Sequence, residues 1–470
     1  MADAVPLTDP STTTSETERL RADDDLCEAA MRPALQAGVG FKVHLTVLIL
    51  LALAGVAAYG YQIVEGIGTT GLNDQVFWGI YTAALVTFIG FSYGGALVSA
   101  ILRFTNVPWR GGVSRIAEAT ALATLLMGAL FPIIHVGRPE RLWEIVVRPQ
   151  INSPIVWDMV AISTYLFATL VLFGLPLIAD MGMLRDRPGI DGWRRRLYGW
   201  LSFGWHGADG QRVSLERALT IVAILIVPLA IIVHTVLSYA FSLTSRPGWH
   251  STIFGPYFVI GAIYSGVAVV ILAAVSYRTA YGLQRWIDDR VIRNLGYILV
   301  ALAVAYGYAT FTEVTTEGYV SETADASVLF ALVLDEFAPL FWSFVLLGLV
   351  VPVLLIAIPR TRTPLGISIA STLVIVSMFV KRYLITVPPQ TQPLFGGGTA
   401  AYTPSLAELL VVVGAAAGIP LTVMLLFRVF PVLSVFEITE IERQQAEQRE
   451  NDAASGERPV GATTTTEHPA

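Results

Sequence analysis

The sequence predicts an all-α polytopic membrane protein of about ten transmembrane helices. Three observations predict it. Hydrophobic residues make up 54% of the 470 and charged residues only 14%, more apolar matter than soluble domains need to fill their cores. Ten apolar runs fall near 41–63, 76–103, 113–136, 154–180, 216–243, 253–277, 288–312, 337–358, 364–386 and 405–430, each close to the roughly 17–25 residues that cross a hydrocarbon layer. The charges lie mostly outside these runs, in connections and at the two ends.

Taken in order, residues 1–35 are rich in Thr, Asp, Glu and Arg and hold no apolar core of a cleaved signal. They read as a disordered tail, with the first span doing the targeting. Residues 36–436 form the membrane domain. Within it, Gly90-Phe-Ser-Tyr93-Gly-Gly95 of the second span is matched by Gly261-Ala-Ile-Tyr264-Ser-Gly266 of the sixth. Likewise, Pro154-Ile-Val-Trp157-Asp158 opening the fourth span is matched by Pro339-Leu-Phe-Trp342-Ser343 opening the eighth. Both matches lie four helices apart, which predicts parallel repeats over about 76–243 and 253–386: two tandem four-helix bundles, helices 2–5 and 6–9, plus two peripheral helices. Small-residue spacing of this kind also serves helix packing alone. Residues 437–470 are polar again and read as a second disordered tail.

An even number of spans puts both termini on one side. Of the 30 Lys and Arg residues, 24 lie on that side and 6 on the other, so the positive-inside rule makes both termini cytoplasmic and the protein a multi-pass protein of the cell membrane. The single cysteine, Cys27, rules out an internal disulfide, a Cys-ligated iron–sulfur cluster within one chain and c-type haem attachment. No metal site is expected, and any such redox centre belongs to a partner. The net charge of −6 sits in tails and loops and gives no reason to expect nucleic-acid binding.

The most informative stretch is Phe131-Pro-Ile-Ile-His135-Val-Gly137-Arg138-Pro139, which closes the third span, followed by Asn152-Ser153-Pro154-Ile-Val-Trp157-Asp158 at the opening of the fourth. Arg141, Trp143 and Arg148 suit an interfacial belt. His135, about a turn inside, and Asp158, about a turn into the next helix, suit it less well, because ionisable groups at that depth are costly unless they are paired or wet. A His and a carboxylate at a membrane edge fit the oxidation of a quinol, which releases two electrons and two protons and needs acceptors for the hydroxyl protons. Phe131, Trp157 and Tyr165 are candidates for an aromatic pocket around the ring, and Arg138, Trp249 and His250 for its rim.

Other polar residues form a candidate proton path: Glu118, one turn from Arg115; His234 in the fifth span; Glu313 at the end of the seventh; Asp335 before the eighth; Lys381 and Arg382 late in the ninth; and Glu408 at the start of the tenth. Each has a structural alternative, such as an ion pair, an interhelical hydrogen bond or plain solvation.

The motifs His-x-Gly-Arg-Pro at 135–139, Ser-Pro-x-x-Trp-Asp at 153–158, Pro-Gly-Trp-His at 247–250, Arg-Tyr-Leu-Ile at 382–385 and Tyr-x-Pro-x-x-x-Glu at 402–408 together resemble the NrfD-like membrane subunits, the family of the polysulfide reductase anchor. The ten-helix form is similar to the ActC and ActF subunits of alternative complex III. The resemblance implies a quinol or menaquinol site near the outer face, with His135 and Asp158 at the pocket, and no metal or haem bound in this chain. It also implies an extracytoplasmic ferredoxin-like iron–sulfur partner, with a multihaem cytochrome c or a molybdopterin catalytic subunit beyond it, and proton translocation through the bundles. The chain departs from the ActC pattern in helix seven, where the Glu falls at 313 instead of three residues after Tyr308, and in helix nine, where Lys381 precedes Arg382 in place of Glu. The expected function is thus a quinol-interacting subunit of a respiratory oxidoreductase. Two other readings compete: a secondary transporter, since parallel repeats occur there too, and a haem b cytochrome using His135 and His234.

Overall fold

The computed structural model describes residues 24–105, 107–187, 189–190, 192–320, 323–393 and 398–455. Among the described residues ten helices are long and apolar enough to cross a membrane. They are α2 (Val39–Glu65), α3 (Ile80–Phe104), α4 (Arg110–His135), α6 (Pro154–Leu184), α8 (Asp209–Ser242), α9 (Phe254–Tyr281), α10 (Asp289–Val320), the joined α12 (Ala338–Val345) and α13 (Val351–Ala357), α14 (Pro364–Thr386) and α16 (Leu406–Val429). Shorter helices connect them: α5 (Trp143–Val147), α7 (Trp193–Leu201), α11 (Thr323–Val333) and α15 (Pro388–Thr391). Each apolar run of the sequence became one span, within a few residues at most boundaries.

Helices α3, α4, α6 and α8 pack as one bundle, and α9, α10, α12–α13 and α14 as a second, while α2 pairs with α16 at the side of the first. The repeat motifs explain how the bundles meet. A Cβ on Gly94 would lie 2.2 Å from the Gly266 Cα, and one on Gly266 2.4 Å from the Gly94 Cα, so α3 and α9 cross backbone to backbone. Without a hydrophobic drive between helices in lipid, close packing of this kind is what holds spans together. The α2–α16 pair repeats the device: a Cβ on Gly55 would lie 2.9 Å from the Gly414 Cα. We expect Gly94→Ala to lower the thermal midpoint of the detergent-solubilised protein by an overpacking cost of about 1–3 kcal/mol. Gly174→Ala, where nothing lies within 4 Å, leaves the midpoint near wild type.

A π-helical turn, Leu346–Val350, interrupts the eighth span. Pro352 follows it and has no N–H to offer the carbonyl of Gly348, four residues back. The Tyr264 hydroxyl donates to that carbonyl instead, at 2.6 Å. A side chain of the sixth-span motif thus satisfies the backbone group that the proline frees.

The tails depart from the expectation of disorder. Residues 24–35 form a helix, α1, that buries Leu26, Ala29, Ala30, Met31 and Ala34 at the bundle end. It is tied there by Val432 N–H to the Ala30 carbonyl, 2.9 Å, and by Arg428 to the Pro33 carbonyl, 3.0 Å. Helix α17 (Val435–Ser455) buries Val435, Phe436, Ile438 and Ile441, and its Glu437 pairs with Arg103. Composition averaged over each tail hid a one-sided apolar stripe that a neighbouring surface could take up. Residues 1–23 and 456–470, the rest of both predicted tails, lie outside the described residues. Both α1 and α17 sit at one end of the molecule, called below the terminal end; the opposite end is the distal one.

Candidate functional site at the distal end of the first bundle

Helix α4 ends at His135, and its last carbonyls are held from the side. Tyr59 donates to the Ile133 carbonyl at 3.3 Å and Gln62 to the Ile134 carbonyl at 3.2 Å, while the Tyr81 hydroxyl donates to the Gln62 amide oxygen at 2.7 Å. These α2 and α3 side chains meet the acceptors a helix C-terminus leaves open and so fix where His135 emerges. One turn earlier, Phe131 is fully buried against Phe88 and Tyr81, with ring centroids 5.6 and 6.0 Å away.

Helix α6 starts at Pro154, the favoured first helical position for proline. In the first turn Trp157 is more than a third exposed, and its Nε1–H donates to the Ile151 carbonyl at 2.5 Å. It pins the entry turn and does not line a pocket floor. Asp158, half-buried, stands one turn above the buried stripe Ile162, Tyr165, Thr169, Leu172 and in line with it at helical period. Below it, the Tyr165 ring lies 4.6 Å from that of Tyr93, and Tyr93 lies 4.7 Å from His234. Ser92 donates to the Tyr165 hydroxyl at 3.3 Å.

The His135 Nδ1 and the Asp158 Oδ1 are both buried atoms with no hydrogen-bond partner, and so are the Tyr93 hydroxyl and both ring nitrogens of His234. Buried polar atoms are almost always paired, so each of these five is a position where water or a ligand atom belongs. Among the described residues no hydrogen bond or ion pair joins His135 to Asp158. The acid within electrostatic range of His135 is Glu408.

The remaining candidates divide. Arg138 and Asp335 are exposed. Trp249 is buried, donates to the Ile385 carbonyl at 2.7 Å and stacks on Trp78 at 5.3 Å. It wedges the two bundles together and does not form a rim. His250 lies over the second bundle, with Asp325 at 3.5 Å. Lys381 and Glu313 form a buried ion pair at 3.1 Å beside Glu317, in a cavity of about 20 Å³, room for one water. Arg382 inserts between α3 and α9, donating to Ser265 at 2.9 Å and to the Gly261 carbonyl at 3.3 Å, with its guanidinium 5.9 Å from the Phe91 ring centre.

Glu408 is fully buried and accepts three hydrogen bonds, from the Tyr402 hydroxyl (2.7 Å), Gly71 N–H (2.8 Å) and Ser405 N–H (2.8 Å), the last as part of a capping box. The sequence reading placed it on a proton path; the structure makes it a clasp between the α2–α3 connection and α16. We expect Glu408→Gln, which removes charge-assisted acceptors worth roughly 1.5–3 kcal/mol each, to lower the thermal midpoint clearly, as read by unfolding in detergent.

At the terminal end Glu118 belongs to a network with a member the sequence reading missed. Arg115 donates to Asp180 at 2.5 Å and to the Phe173 carbonyl at 2.9 Å, and it lies 3.6 Å from Glu118, which also accepts from Ser99 at 2.8 Å. Phe436 N–H donates to the other Asp180 oxygen at 2.8 Å. Asp180 closes the fourth apolar run and reads there as a boundary. An acid still inside an apolar stretch was the available signal.

The comparison with known families bears on this arrangement. Residues 68–393 match the family model described as polysulphide reductase, NrfD. The chain belongs to the NrfD family. The matched segment runs from the α2–α3 connection through both bundles and leaves out α2 and α16. Among similar curated proteins are the Hdr-like menaquinol oxidoreductase integral membrane subunit of Archaeoglobus fulgidus, 27% identical over 86% of this chain and 98% of that one, and a putative dimethyl sulfoxide reductase membrane subunit of Halobacterium salinarum, 27% identical over 73% and 75%. A selenate reductase subunit of Mesobacillus selenatarsenatis is 23% identical over 77% and 86%. As an NrfD-family protein with ten spanning helices, the chain is a multi-pass membrane protein.

Proposed function

We propose that this NrfD-family chain is the quinone-interacting membrane subunit of a redox complex, taking quinol or menaquinol at the distal end of its first bundle. The observation that carries the reading is the pair of buried, unpartnered acceptors, His135 Nδ1 and Asp158 Oδ1, at the ends of two adjacent helices. In quinol oxidation each hydroxyl O–H bond breaks, two protons go to acceptors and two electrons leave the ring. His135 and Asp158 would each take one proton, and Phe131 and Tyr165 supply apolar walls. The names of the relatives support a redox setting: one is a menaquinol oxidoreductase subunit and two are reductase subunits.

The electrons pass, in this reading, to a ferredoxin-like iron–sulfur subunit outside the cell membrane, with a multihaem cytochrome c or molybdopterin subunit beyond it, as in a complex of the alternative complex III type. The Lys and Arg asymmetry supports cytoplasmic termini and an outward-facing distal end. Proton movement through the first bundle would use Asp158, Tyr93 and His234, and then Glu118, Arg115 and Asp180. The test is photolabelling of the detergent-purified chain with an azido-quinone. Labelled peptides from 131–165 that vanish on competition with unlabelled menaquinone support the site, and labelling confined to the second bundle overturns it. The transporter reading requires solute uptake by quinone-free proteoliposomes.

A further inference from the structure

A cavity of about 320 Å³ opens at the terminal end between the end of α6, the α7–α8 connection and α17. Its floor is the edge-to-face pair Trp205 and Phe436, with ring centroids 5.6 Å apart. Around the walls stand Arg185, Asp186, His206, Arg212, Thr439 and Glu440. Arg185 and Asp186 already satisfy each other, at 2.8 and 3.0 Å. Arg212 is different: its Nε–H donates to the Gly207 carbonyl at 3.0 Å, and its two terminal amino groups have no partner among the described residues. The Thr439 hydroxyl oxygen is buried and unpartnered, and the Glu440 carboxylate has no hydrogen bond or ion pair among the described residues.

The surroundings set the depth of this cavity. In α7, Trp193 and Trp200 stand seven residues apart on one face and are 55% and 71% exposed; Arg196 stands between them on that face, and Arg195 points the other way, 3.5 Å from Asp186. Two residues beyond α7, Phe203 is 73% exposed and holds φ 45°, a left-handed conformation that a bulky side chain rarely adopts. Exposed tryptophans with an arginine between them are the pattern of a helix lying in the plane of the lipid headgroups, the rings at the interface and the guanidinium reaching to the headgroups. Tyr198, on the inner side, ties α7 to the bundle by donating to the Val429 carbonyl at 2.6 Å. Burial pushes its hydroxyl up to about 12, so it remains a donor at neutral pH. The cavity beside α7 therefore opens at headgroup depth.

We infer that this cavity binds the headgroup of an amine-bearing phospholipid of the phosphatidylethanolamine class. Arg212 and the Thr439 hydroxyl meet the phosphate, Glu440 meets the ammonium, and Trp200 and Phe203 flank the acyl chains. The unsatisfied groups carry both signs of charge, which matches a zwitterion better than a purely anionic headgroup. A hydroxyl and a guanidinium lining one cavity suit a phosphate's oxygens.

The experiment uses the full chain in nanodiscs of equal phosphatidylethanolamine, phosphatidylglycerol and phosphatidylcholine, followed by release and native mass spectrometry. The expected result is one retained phosphatidylethanolamine, about fivefold less in Arg212→Gln and reduced in Glu440→Gln and Thr439→Ala. Arg290→Gln, exposed at the start of α10 in the second bundle and away from the cavity, leaves retention unchanged. Equal retention of all three classes by the unmodified protein overturns the inference and needs no variant. Unchanged retention in both Arg212→Gln and Glu440→Gln overturns it as well. A third arm adds inorganic phosphate alone to lipid-free protein. A thermal shift as large as that given by phosphatidylethanolamine assigns the cavity to soluble phosphate and overturns the lipid as occupant.

Discussion

Replacing His135 with Ala lowers quinol-dependent electron transfer by about 10²–10⁴-fold, the usual weight of a positioned proton acceptor, while the complex still assembles. Assembly survives because the contacts that hold this end of α4 are made to backbone carbonyls by Tyr59 and Gln62 and not to the imidazole. Asp158→Asn acts in the same direction, since the amide keeps the shape and loses the basicity. Because no hydrogen bond joins the two side chains, the losses should add in the double variant if each serves a different hydroxyl, and should not add if one relays to the other. Steady-state turnover of the purified complex with a soluble menaquinol analogue reads all three variants. Wild-type turnover in both single variants would sink the site.

The second large effect is on stability. Arg115→Ala leaves Asp180 and Glu118 facing each other's network with no cation, and Asp180 and Arg115 are fully buried. Removing one partner of a buried ion pair costs about 3–5 kcal/mol, enough to abolish accumulation of the folded protein. The triple change Arg115→Leu, Asp180→Leu and Glu118→Gln should recover a large part of it, because both buried acids that faced Arg115 then lose their charge along with it. Fluorescence-detected size exclusion and thermal unfolding measure both. Arg115→Ala protein that accumulates and melts as wild type would show that the group carries no structural load and belongs wholly to proton movement. Asp180 also binds Phe436 N–H at the start of α17, so the same variants should loosen the terminal helix.

The candidate site was legible to the extent that single residues carry a signal. His135 and Asp158 stood out because ionisable side chains at a membrane edge need a reason, and the structure leaves both with buried, unpartnered atoms. Trp157, Trp249 and Glu408 show the limit of that reasoning. All three are the residue types that line pockets, yet their polar atoms are taken up within the fold: Trp157 by the Ile151 carbonyl, Trp249 by the Ile385 carbonyl, and Glu408 by Gly71 and Ser405 N–H and the Tyr402 hydroxyl. Which way a side chain faces depends on helix rotation and on neighbours distant in the chain, and a motif records neither.

What the sequence by itself determined is the number of spans and their approximate limits. Hydrocarbon admits only long apolar helices with satisfied backbones, so composition along the chain is nearly a direct record of them. Only the tertiary structure decided that the repeated glycines serve the α3–α9 crossing, that Asp180 completes the Arg115 network and that α1 and α17 fold onto the bundle end. Those outcomes turn on distances between residues far apart in sequence: Gly94 and Gly266 meet because two helices approach to backbone contact, and Phe436 reaches Asp180 across 256 positions. Apolar length is a local property of the chain, whereas a shared hydrogen bond or a close crossing exists only once the helices are packed.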